Sequence, residues 1–116
     1  MDLTELLKEL HQWLESVHIP AEILTDSTKT LRVIFETENA LAELLAGNGE
    51  YAPYRFVSFT VLDPSQDLNA EPVFRFCDDD SHTINEILLE LNRGMAVMEA
   101  LSLRAPTGAW QSPGGI

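Results

Sequence analysis

Apolar residues change their spacing twice along this chain, from threes and fours to twos and back, and that switch limits the fold more than any single motif does. Leu3, Leu6, Leu7, Leu10, Trp13, Leu14 and Val17 lie along one helical face, as do Ile84, Ile87, Leu88, Leu91, Met95, Met98 and Leu101 near the other end. Between them the pattern shortens to strand length. The spacing predicts an α+β protein: a small antiparallel sheet of about four strands packed against an N-terminal and a C-terminal helix. With 116 residues, one domain is expected over 1–104, followed by a flexible Pro/Gly/Ser-rich tail over 105–116.

The expected element ends rest on local chemistry. Asp2 can cap the first helix, with Glu5 three residues on, and Pro20 should end it near His18. Strands over Ile23–Thr25 and Leu31–Phe35 flank the polar break Asp26-Ser27-Thr28-Lys29, with Leu31, Val33 and Phe35 on the buried side. A short helix is expected over Glu38–Ala46, stopped by Gly47-Asn48-Gly49. A second hairpin joins Tyr54–Leu62 to Pro72–Cys77, placing Val57, Phe59 and Val61 on one face and Phe74 and Phe76 in the core. Thr83 and Glu86 can form a capping box for the last helix, and Gly94 inside it marks a close approach of another element. Apolar residues beyond a single alternating face, in Arg32-Val33-Ile34 and Phe56-Val57-Ser58-Phe59, predict a second covered surface or an interface.

Charge then narrows the partners. Nineteen acids against 7 Lys and Arg give a net charge of -12, a field that repels nucleic-acid phosphate and anionic lipid and attracts basic protein surfaces or cations. No run of about 18 apolar residues could span a membrane, and the N-terminal residues lack the pattern of a secretory signal, so cytoplasm is the expected location. Cys77 has no second cysteine with which to make a disulfide or a CxxC motif, and its acidic neighbours disfavour a thiolate. His11, His18 and His82 form no HxxH or HExxH arrangement, and GxSxG, GxxxxGK[ST] and GxGxxG are absent from the sequence. A non-enzymatic, cofactor-free binding role is therefore expected, with Glu36, Glu38, Asp78, Asp79 and Asp80 as the acids that meet a basic protein partner.

The alternative is a calcium site. Asp63, Ser65, Asp67, Asn69 and Glu71 bear oxygens at every second position, like the opening of a calcium loop, and Asp78-Asp79-Asp80 could add ligands. Leu68 stands at the sixth position in place of Gly and Phe74 at the twelfth in place of Glu, so a hairpin loop is the simpler reading.

The order of an N-terminal helix ending at Ser-Val-His-Ile-Pro, paired strands, a short helix, further strands and a long C-terminal helix resembles the small acidic chaperones of type III secretion over about residues 3–101. The resemblance implies a homodimer that holds an extended segment of another protein. No functional residue carries over, because no signature motif is matched. An immunity or inhibitor protein covering the basic active site of a toxin fits the same acidity.

Overall fold

In the computed structural model, residues 2–48, 55–66 and 70–103 are described. They form an α+β fold in the order α1 (Leu3–Glu15), β1 (Ala21–Asp26), β2 (Leu31–Glu36), β3 (Leu41–Ala46), β4 (Val57–Leu62), β5 (Phe74–Cys77) and α2 (Ile84–Ser102). The sheet is an antiparallel meander of five strands in sequence order. The fifth strand is β3, where a short helix is expected from the sequence. Its Ala, Leu and Glu residues favour helix intrinsically, but pairing with both β2 and β4 outweighs that preference. The expected tail over 105–116 and the expected strand start at Tyr54 lie outside the described residues.

Both helices start as their sequences dictate. The Asp2 carboxylate accepts from the Glu5 amide at 2.8 Å, and Thr83 and Glu86 complete a reciprocal capping box. Helix α1 stops at Glu15, sooner than Pro20 requires, because the Ser16 and Val17 amides close onto the Trp13 and Leu14 carbonyls and the Ser16 hydroxyl donates to the Trp13 carbonyl.

Strand alternation decides what is buried. Leu31, Val33 and Phe35 of β2, Ala42, Leu44 and Ala46 of β3, and Val57, Phe59 and Val61 of β4 share one face, where Leu6, Leu10, Ile87, Leu91 and Met98 cover them. Trp13 meets Phe35 edge to face, Phe35 meets Phe59, and Phe59 meets Phe74, so an aromatic row runs across the sheet beneath the helices. The helices are tied to each other by the Trp13 indole N–H, which donates to Asn92 Oδ1 at 2.8 Å. Leu88, read as core alongside Leu91, is only half-buried, while Leu91 is fully enclosed. Helix α2 crosses directly over β4 and β5: a Cβ on Gly94 would lie 2.3 Å from Phe59 Cε2 and 3.0 Å from Phe74 Cε1. The close approach expected at that glycine is present.

Candidate functional site

With both helices on one side, the opposite face of the sheet has no helix over it among the described residues. Register places its side chains. Glu36, Leu41 and Leu62 form one row across β2, β3 and β4; Glu22, Ile34, Glu43, Thr60 and Arg75 form the next across all five strands; Arg32, Leu45, Ser58 and Cys77 form a third. Leu41 and Leu62 are direct cross-strand neighbours, and Ile34 lies diagonal to both Leu41 and Leu45, so the register gathers the four apolar residues into a strip on this face, with the Arg32–Glu43 pair lying between Ile34 and Leu45. Leu62 is 40% exposed and the other three are half-buried, in contrast to the fully enclosed residues on the inner face. Arg32 Nε reaches Glu43 Oε2 at 2.6 Å across the strip.

The short helix expected over Glu38–Ala46 would carry Leu41, Leu44 and Leu45 together, whereas the strand separates them, with Ala42, Leu44 and Ala46 buried on the inner face and Leu41 and Leu45 half-buried on the open one.

The acids expected to meet a partner fall at opposite ends of the sheet. Glu36 ends β2 and Glu38 tips the turn into β3, whereas Asp78, Asp79 and Asp80 follow β5 at the other end, about 17 Å away along a six-residue strand. Asp78 is moreover no surface acid: it is 1% exposed. Its Oδ1 accepts from the Phe56 and Val57 amides at 2.7 and 2.8 Å, and its backbone pairs with Arg55 and Val57. Its carboxylate closes the β4–β5 end, and a role in meeting a partner through its charge is corrected accordingly.

Asp79 and Asp80 are exposed and differently engaged. Asp79 Oδ1 accepts from the Ser81 hydroxyl and amide, which with nearby His82 hold its carboxyl below the usual range. The Asp79 amide donates to His82 Nδ1 at 3.0 Å, and the His82 ring stands edge-on to Phe76. Asp80 is 96% exposed with Arg55 Nε 3.7 Å away, and the Arg55 guanidinium lies over the Phe56 ring. An open polar cleft of about 410 Å³ runs past these groups, between Glu5 of α1 and Ser81–Asn85 at the start of α2.

The acidic loop after β4 sits at the Glu36 and Glu38 end. Asp63 is buried, and its Oδ1 accepts from the Ser65 amide at 3.0 Å and hydroxyl at 2.7 Å, an Asx turn of the kind a hairpin loop uses. Ser65 and Glu71 are exposed, while Asp67 and Asn69 lie outside the described residues. Among the described residues no three His, Cys, Asp or Glu side chains converge as a metal site. Between this loop and the apolar strip is a pocket of about 230 Å³ lined by Leu41, Leu62, Asp63, Pro64, Gln66, Ala70 and Glu71.

His11 carries an interaction that its place on α1 did not suggest. The helical pattern puts it toward solvent, yet Nδ1 lies 2.7 Å from the Leu7 carbonyl and Nε2 lies 2.9 Å from Asp26 Oδ1. Both neighbours only accept, so the imidazolium satisfies both. The Leu7 carbonyl first and Asp26 second hold its pKa above the usual histidine value.

No helix among the described residues is long and apolar enough to cross a membrane. Comparison with protein-family models, with curated proteins and with solved structures finds no match to this chain.

Proposed function

We propose that this is a non-catalytic binding protein that receives a basic protein partner on the uncovered face of its sheet. The observation that carries the reading is the set of apolar residues Ile34, Leu41, Leu45 and Leu62 that the register gathers on a face with no helix over it among the described residues. A sheet normally needs one apolar face, and here that need is met on the inner side by α1 and α2. An apolar strip on the second face, with polar and charged residues around it, has the composition of a partner interface. Glu22 and Glu36 border it on the β1–β2 side, Glu38 lies in the turn between β2 and β3, and together they set the sign of the field that an approaching partner meets. An immunity or inhibitor protein, or a secretion-type chaperone acting in the cytoplasm, would use such a face, the chaperone as a dimer.

The test begins with affinity capture of the partner and continues with association kinetics on the purified pair. Ile34→Asp with Leu45→Asp should abolish binding while leaving the circular dichroism spectrum unchanged, because both side chains point away from the helices. Raising salt from about 0.1 M to about 1 M should slow association and leave dissociation nearly unchanged. Binding that survives the double substitution would remove this face from the reading, and turnover of a substrate by the isolated protein would end it.

A further inference from the structure

The corner pocket between the apolar strip and the acidic loop allows a more specific statement about the partner, one that rests on the reading above. Its apolar lining is the cross-strand pair Leu41 and Leu62 with Pro64 and Ala70. Its charged lining residues among the described ones are the acids Asp63 and Glu71, and Glu36, outside the lining, is the register neighbour of Leu41 on the same face. Among the described residues no lysine, arginine or histidine lines it.

Size separates the candidate occupants. At about 230 Å³ the pocket is smaller than the range of roughly 300–1,000 Å³ typical of small-molecule and cofactor sites. A bare cation would find one oxygen of Asp63 already taken by Ser65, and leucine in place of oxygen ligands. A long side chain with apolar methylenes and a cationic tip matches the apolar lining and the acids together. We infer that this pocket takes one lysine or arginine side chain of the partner, its stem on Leu41, Leu62 and Pro64 and its charge among Asp63, Glu71 and Glu36. The larger cleft at the opposite end lacks this complementarity, because Arg55 lies in it beside Asp80, and His82 and Thr83 are engaged by Asp79 and Glu86.

The probes are N-acetyl-lysine methylamide, N-acetyl-arginine methylamide, N-acetyl-norleucine methylamide and calcium chloride, each titrated into the full chain with amide shifts as the readout. The two cationic probes should shift the Leu41, Leu62, Gln66, Ala70 and Glu71 amides. They should bind about fivefold more tightly than norleucine, the upper end of what an exposed ion pair supplies. Glu71→Gln with Glu36→Gln, both at exposed positions, should bring the cationic probes down to the norleucine level. Equal binding of norleucine, shifts centred elsewhere, no shifts, or calcium saturating the same amides would each overturn the assignment. Failure here together with a partner still blocked by Ile34→Asp and Leu45→Asp would remove the pocket and leave the sheet-face reading standing.

Discussion

Gly94 sets two residue-scale effects against each other. In an exposed helix, replacing glycine by alanine gains about 1 kcal/mol. Here the added methyl would enter the edge of the Phe59 ring, which is fully buried and held between Phe35 and Phe74. A buried ring in a packed row has nowhere to move, and overpacking of this kind costs roughly 1–3 kcal/mol. Gly94→Ala should therefore lower the urea midpoint, and a raised midpoint would show that α2 can lift off the sheet without cost. His11 offers a second effect, this one tied to pH. Because its folded pKa is raised, its contribution is fully present below the unfolded value of about 6.5 and is lost as pH rises through the folded value. The pair is well exposed to solvent, which screens it, so the loss should stay below about 1 kcal/mol. Stability measured from about pH 5.5 to about pH 8.5, roughly one unit below and two units above the unperturbed histidine value of about 6.5, should fall more in the wild type than in His11→Gln. Identical profiles would mean that the Asp26 contact does not persist in solution.

At the scale of elements, the β4–β5 end depends on one carboxylate. Asp78 Oδ1 satisfies two adjacent amides, and removing it strands both inside the protein. Stranding a buried donor costs about 1–3 kcal/mol, so Asp78→Ala should destabilise by at least about 2 kcal/mol, whereas Asp80→Ala should stay within about 0.5 kcal/mol. Equal effects in chemical denaturation would contradict the separation of roles. From the sequence, the Asp78-Asp79-Asp80 run reads as one acidic patch, because charge is legible there and strand pairing is not. The same limit explains β3. Both helices, β2 and the inner face of β4 follow from periodicity, since each pattern is long or regular enough to exclude the other period, while β1, exposed throughout, follows from the polar break before β2. In Leu41–Ala46 the residue types favour helix while the register with β2 and β4 demands strand, and only the second, nonlocal term is missing from a sequence window. The candidate site inherits that gap, because Leu41 and Leu45 reach the open face only once β3 is a strand, whereas Glu36 and Glu38 were legible as surface acids.

Across the whole molecule the acids outnumber what the cations can neutralise. Arg32, Arg55 and Arg93 lie beside Glu43, Asp80 and Glu90, while Glu22, Glu36, Glu38 and Glu71 have no ion pair among the described residues. A net charge of -12 on 116 residues therefore repels itself in the folded state, and more strongly than in the expanded unfolded chain, where the same charges lie farther apart. Salt shortens the screening length from about 30 Å at 0.01 M to about 10 Å at 0.1 M, which relieves that repulsion selectively in the native state. The melting temperature should accordingly rise with potassium chloride at constant pH, with each kcal/mol relieved worth roughly 4–8 °C in a domain of about this size. Glu22→Gln, Glu36→Gln and Glu38→Gln together should raise the low-salt melting temperature and flatten its salt dependence, because Glu22 and Glu36 lie on the β1–β2 side of the open face and Glu38 in the adjoining β2–β3 turn, all three without an ion pair among the described residues. The same triple variant should associate more slowly with a basic partner at low salt, since the charges that strain the free protein are those that attract the partner. A variant that becomes more stable while keeping its association rate would separate the two roles and place the steering charge elsewhere on the molecule.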